Sequence, residues 1–463
     1  RHAALRRLGP GSARDHRPSG DRRTAPVDAD ASSLGPGAAR LGHGRHAAVG
    51  RTVIVEPVVV RRDQGLVERS AVLRGGFGEH RLVVRGPAEV VDASPDASSP
   101  TAAALAYAMR HEDHLHIIGP LDPALRRNLE EIQAIYLAWD RQATPVEVDA
   151  PVDAAGPSRS EQRRARRRDR PRRAAFFSRG VDSLFTAARA PSGAGPLDAL
   201  VFVDGLEPRH DDVVRAQERD LARASATRLG LPLVVVETNV RELFDPAAFD
   251  WEDAVGAGLA SVALALAGGF DSVVIPSGDS YATVEPCGTS PLLDPLFSSS
   301  RLQVTHDSLA HSRLGKVGWL VSNRPDLLGD IKVCFKENRP DNCGRCGKCL
   351  LTMVCLQIHG SLDEATAFPS TIDPEDIRAF RLPTAKARAD WAEVARALST
   401  TGSEGEVRSA ALDTLRTSSL QAPHQIDQAG NPVWTGPYWL RNHRLNEVLS
   451  LVVDGTPYPP LEP

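Results

Sequence analysis

The 463-residue sequence predicts an α/β protein: a parallel-sheet central domain, preceded by a small α+β domain and followed by a mostly helical region. Three observations carry that expectation. From Ala174 onward, apolar runs of strand length alternate with helical stretches, the pattern of βαβ units. A Ser-, Gly- and Asp-containing turn sits where the first of those runs meets a helix. Four cysteines crowd into one short window at metal-ligand spacing.

The boundaries follow from changes in texture. Residues 1–50 mix Arg, Ala, Gly, Pro, Asp and His without periodicity, which suits a disordered tail. Residues 51–150 form the expected α+β domain. Thr52 to Val60 is a β-type run, with Pro57 marking an edge or a bulge. Ser70 to Leu73 and His80 to Val84 are short strands divided by Gly75 and Gly76. Helices are expected over Thr101 to Arg110 and Pro123 to Trp139, the second entered through Asp122 as N-cap. Residues 151–173 read as a linker that carries nine Arg, most of them in its second half. It suits a solvated tether better than an RNA contact, because no aromatic residue is interleaved to stack on bases.

The 174–358 domain should contain strands at Ala174–Phe177, Ala199–Val203, Leu233–Glu237, Ser272–Ile275, Leu302–Thr305 and Ile331–Phe335. Helices should span Val181–Arg189, Asp212–Leu229, Asp253–Ala267 and Ser312–Leu320. Residues 359–463 are partly amphipathic and helical, as at Ala385–Leu398, with no assignable chemistry.

Bulk properties exclude several classes. A formal net charge of −4 gives no global attraction to nucleic acid or anionic lipid. No apolar run reaches the 18 residues of a membrane span, and the Arg-rich start lacks the apolar core of a secretory signal. All six cysteines lie between Cys287 and Cys355, unlike a secreted disulfide scaffold, so a reducing, cytoplasmic setting is expected.

The chemistry concentrates in two places. In Phe176-Phe177-Ser178-Arg179-Gly180-Val181-Asp182-Ser183, a strand-to-helix turn offers converging backbone N–H groups and the positive end of a helix dipole to an anion. Gly180 permits close approach and a positive φ. Ser178 and Ser183 add hydroxyls. Asp182, an acceptor, suits a turn cap or Mg²⁺. An ordinary strand-to-helix turn has the same composition. The second place is Cys334, Cys343, Cys346 and Cys349, spaced C-x8-C-x2-C-x2-C. Such spacing brings four thiolates to one tetrahedral ion, zinc ahead of iron–sulfur. Gly344 and Gly347 ease the turns. Cys355 reads as a buried small hydrophobe, and Cys287 as a loop thiol not expected to be reactive.

The turn resembles the SGGxDS loop of PP-loop ATP pyrophosphatases. That resemblance implies a Rossmann-like fold of the adenine nucleotide α-hydrolase type, with ATP bound by its β- and γ-phosphates and split to AMP and pyrophosphate. Arg179 stands where the family usually has Gly, and either adds a phosphate contact or obstructs the loop. The resemblance implies adenine-side roles for Val203, Asp204 and Gly205, and nucleotide- or substrate-framing roles for Ser277, Gly278 and Asp279. With the cysteine pattern, residues 174–358 are similar to the 7-cyano-7-deazaguanine synthase family of the queuosine pathway, whose cysteines hold zinc.

Asp294 is left open between binding substrate and capping a turn. His306 reads as a loop histidine before a base. Lys316 either neutralises phosphate or lies on a helix surface. The expected function is an ATP-dependent ligase that adenylates a carboxylate or amide oxygen of a small molecule, for attack by ammonia or a similar nucleophile. Asp182, Ser183 and Lys316 are its candidate catalytic residues, ATP, Mg²⁺ and Zn²⁺ its cofactors. A tRNA-modifying enzyme and a non-catalytic nucleotide-binding module are the alternatives.

Overall fold

The computed structural model describes residues 52–418, apart from 113, 140–142, 152–169, 193–194, 208–210, 245–250, 383 and 401–404, together with 425–426 and 432–433. The expected tail and most of the Arg-rich linker lie outside these residues.

The first segment supplies β1 (Thr52–Val55), β2 (Val59–Asp63), β3 (Leu66–Gly75) and β4 (Gly78–Pro87). Pro57 falls in the break between β1 and β2, where its missing N–H costs no ladder bond. Helix α1 (Ser98–His111), β5 (His114–Ile117), α2 (Pro123–Trp139) and β6 (Glu147–Asp149) follow. Asp122 caps α2 as expected, accepting from Ala124 N at 2.8 Å.

The later segment runs β7 (Arg173–Phe176), α3 (Val181–Arg189), β8 (Ala199–Asp204), α4 (Asp212–Leu229), β9 (Leu233–Thr238), α5 (Trp251–Ala265), β10 (Ser272–Pro276), β11 (Gln303–Asp307), α6 (Arg313–Asn323) and α7 (Gly347–Ile358). Helices α8 (Pro374–Ala379), α9 (Ala385–Thr400) and α10 (Glu406–Thr417) complete the described helices, and 425–426 pairs with 432–433.

The expected strand Ile331–Phe335 is not one. Lys332 N bonds Arg179 O at 3.0 Å, and Val333 N and Cys334 N both bond the Asn342 side chain. With those donors committed to a loop and a side chain, the segment has no ladder to join.

The strands of both segments form one 11-stranded sheet, ordered β11-β10-β7-β8-β9-β4-β3-β1-β5-β6, with β2 on β3. The five strands from β7 to β11 pair in parallel. β9 then pairs antiparallel with β4, so the residues of the expected N-terminal domain continue the same sheet. Because β3 and β1 alternate in direction beyond β4, the carboxyl rim of β7–β11 is also the amino rim of β1 and β5.

Alternation along β7 divides the core. Ala174 and Phe176 pack with α1, α2 and α5 on one face, while Ala175 and Phe177 pack with α3, α4, α6, α7 and the C-terminal helices on the other. Both faces are covered, as a parallel sheet requires.

Candidate functional site

Strand order reverses between β7 and β10: chain progression runs outward through β8 and β9 on one side, and through β10 and β11 on the other. A reversal of this kind opens a crevice at the carboxyl ends of the strands, where open α/β sheets bind ligands. The turn from Phe177 to Gly180 stands at that point. Phe177 is buried and anchors the turn by donating to Val201 O at 2.8 Å. Ser178 is exposed. The positive φ falls on Arg179 (61°) and not on Gly180, whose φ and ψ are −63° and 159°. A non-glycine residue is uncommon in the left-handed region, and surrounding contacts must hold it there. Here the Arg179 guanidinium is buried against Glu218 at 3.1 Å, and its carbonyl accepts from Lys332 N. The side chain is therefore turned to a buried partner on α4, and Arg179 is 3% exposed.

Gly180 begins α3, whose first-turn N–H groups have no intrahelical acceptor. The Ser183 hydroxyl is buried and donates to Gly180 O at 3.0 Å, so it shapes the turn and does not offer its proton to a ligand. Asp182 is held from two sides, by Lys316 Nζ at 2.9 Å and Arg313 at 3.0 Å. Burial pushes its carboxyl up, but Arg313 and Lys316 together hold it at about 2. Both its oxygens are engaged by cations, so the carboxylate fits Mg²⁺ poorly.

Lys316 is no surface lysine. It is 1% exposed and donates also to Ser277 O at 2.7 Å, tying α3, α6 and the end of β10 together. Burial lowers its ammonium against the pull of Asp182. Ser277 is buried, bonds Asp307 O through its own N–H, and accepts from Asp279 N at 3.0 Å. Gly278 is exposed, with open space where a Cβ would stand. At the end of β8, Val203 is half-buried, and the Asp204 carboxylate is taken up by Arg215 at 2.7 Å and by Arg219. Gly205 has φ +112°, and a Cβ there would stand 1.9 Å from Thr238 O. Asp204 and Gly205 thus shape this rim by packing.

A cluster unseen in the sequence adjoins Asp279. Lys386 of α9 lies 3.9 Å from Asp279 and 2.8 Å from Asp390, and its backbone N–H donates to Glu285 at 3.3 Å. Burial raises Asp279 to about 6, with Asp182 adding to the shift and Lys386 opposing it. Burial raises Glu285 to about 7, with Asp279 adding to it. No local motif announces this cluster, because α9 lies a hundred residues beyond Glu285.

Asp294 is fully buried. It accepts from Thr289 Oγ1 at 2.7 Å and Ser290 N at 3.2 Å, and lies 2.7 Å from His306 Nδ1. Through these bonds Asp294 organises the loop after β10, with the His306 side chain as its partner.

Cys334, Cys343, Cys346 and Cys349 converge, their Sγ atoms all within 4.8 Å of one another. Contacts of 3.4, 3.8 and 4.0 Å bracket the roughly 3.8 Å edge of a tetrahedron with Zn–S bonds of about 2.3 Å. Gly344 has φ +74°, as its turn requires. Gly347 is small for another reason: a Cβ would meet the Phe380 ring at 2.1 Å. Hydrogen bonding with Cys349 holds the Cys346 thiol below its ordinary range. Asn342, not singled out by the sequence, braces the site from behind by also donating to Ile331 O at 2.7 Å. The residues fit a four-coordinate metal such as zinc. Cys355 is buried, and burial raises its thiol, as it does that of Cys287.

No protein-family model matches the chain, and no curated protein matches it. No described helix is long and apolar enough to cross a membrane.

Proposed function

We propose that the chain is an ATP-dependent adenylating enzyme with a Rossmann-like, PP-loop type nucleotide site. One observation carries the reading: the Ser178–Ser183 turn opens at the strand-order reversal, beside the buried Lys316 and the partly buried Arg313. The triphosphate lies against the backbone N–H groups at the start of α3. Lys316 and Arg313 offset its charge and that of the departing pyrophosphate. A carboxylate or amide oxygen of the small-molecule substrate attacks the α-phosphorus, and the bond to the bridging oxygen of pyrophosphate breaks. Ammonia or a similar nucleophile then attacks the activated carbon and AMP leaves. Asp279, titrating near 6 at the same rim, accepts the proton that the nucleophile releases. The four cysteines hold Zn²⁺ as a brace, because four protein ligands leave no open position.

Pyrophosphate release from ATP, measured with ammonium and a panel of small carboxylates, tests this reading. Release above background with at least one carboxylate is expected, falling about 100-fold in Lys316→Met, the scale of losing one charge-stabilising donor. Unimpaired ATP binding with no release on any carboxylate would instead support the non-catalytic module.

A further inference from the structure

A second site lies on the same rim of the sheet, well away from the nucleotide crevice. A cavity of about 530 Å³ is lined by Thr52, Ile54, Arg74, Gly75, Gly76, Tyr107, His111 and Glu112. It sits at the amino end of β1, beside the β3–β4 turn and the last turn of α1. β1 is five positions along the sheet from β7, roughly 24 Å at about 4.8 Å per strand.

Glu112 makes the cavity chemically specific. The residue is 3% exposed. Oε1 accepts from Gly76 N at 2.8 Å. Oε2 is buried and has no hydrogen-bond partner among the described residues. A carboxylate oxygen left this way is costly unless something donates to it. Gly76 allows the close approach: a Cβ at position 76 would stand 2.5 Å from Oε1 and would push the carboxylate aside. Tyr107 adds an aromatic wall, fixed by its edge-on packing with Phe77 at 4.6 Å. Arg74 at the rim is already paired with Glu56 and Glu79, which offsets the charge that would repel a cation.

We infer that this cavity binds a compact organic cation, an ammonium or guanidinium group, whose N–H donates to Glu112 Oε2 beside the Tyr107 ring. A cation satisfies the buried oxygen and is attracted by an aromatic face, and a neutral donor gains only the first. The inference does not depend on the nucleotide reading.

Calorimetric titration of the full chain with methylguanidinium and with propylammonium, against neutral N-methylurea at matched ionic strength, tests it. Saturable binding of at least one cation is expected, with N-methylurea weaker by about tenfold or more, the worth of a charged hydrogen bond. Glu112→Gln, which keeps an acceptor for Gly76, should weaken the cation by a similar factor. Ile54→Trp, which fills the cavity and leaves the carboxylate in place, should abolish binding. If neither cation binds the unaltered chain, or if N-methylurea binds as well, the inference is overturned. Equal binding by a folded Glu112→Gln variant, or by Ile54→Trp should Glu112→Gln not fold, would overturn it too.

Discussion

Glu285 shows how a residue with no motif acquires a property. Its carboxyl sits under α9, and burial raises it from 4.5 to about 7, with Asp279 adding to the shift. The folded state therefore holds a proton that the unfolded chain releases near pH 4.5. In that window the unfolded state binds fewer protons, so stability falls as pH rises from about 4.5 to 7. Glu285→Gln removes the cost of the buried charge. The variant should be more stable than the unaltered chain at pH 8, by on the order of 2 kcal/mol, and nearly equal to it at pH 4.5. Urea unfolding at the two pH values measures the difference; a variant equally destabilised at both would show that Glu285 is held by packing alone. Single-residue chemistry was legible where it was local. The cysteines and the Ser178–Ser183 turn announce themselves within a few positions. The partners of Lys316 did not, because Asp182 and Ser277 are 134 and 39 residues away from it. Nor did the orientation of Arg179, which depends on Glu218 from α4.

At the scale of elements, periodicity placed most helices and strands within a few residues: α2 and α3 span Pro123–Trp139 and Val181–Arg189, as the sequence predicts. It failed at 331–335, where an apolar run looks like a strand but its N–H groups are committed to Arg179 and Asn342. That loop carries Cys334 and leads to the other three cysteines, and α7 starts directly after Cys346. The metal should therefore hold loop and helix together. Purified protein is expected to carry about one zinc ion per chain. Cys346→Ser should lower zinc content and reduce Tm by about 5 °C or more, since losing a structural site costs several kcal/mol. Elemental analysis with calorimetry checks both. Full zinc content in the variant would separate these thiols from metal binding.

At the scale of the whole molecule, the continuous sheet is what the sequence concealed. Residues 51–150 carry their own strands and helices, and nothing local reveals that β4 hydrogen-bonds to β9 more than 150 residues away. The seam is fastened by side chains as well. Thr238 Oγ1 donates to Val83 O at 2.8 Å, and Asn239 bonds Val83 N and Arg81 O at 2.9 Å each. A sheet joined this way should unfold as one unit, so thermal unfolding followed by near-UV and far-UV signals should give one coincident transition. Asn239→Ala, which strips two of these bonds, should lower stability by about 1–2 kcal/mol. Two separate transitions in the unaltered chain would mean that the halves are energetically independent.

The turn at the sheet reversal bears the weight of the functional reading, and Gly180 offers a clean way to test it. Its φ is ordinary, and a Cβ there would meet only Ser178 Oγ at 3.3 Å and Lys332 O at 3.6 Å, so Gly180→Val can fold while its branched side chain crowds the first N–H groups of α3. Isothermal titration of a non-hydrolysable ATP analogue into both proteins is the decisive measurement. Saturable binding to the unaltered chain, weakened by about tenfold or more in Gly180→Val, is the predicted result. No binding to the unaltered chain, or equal affinity in the two proteins, would contradict it.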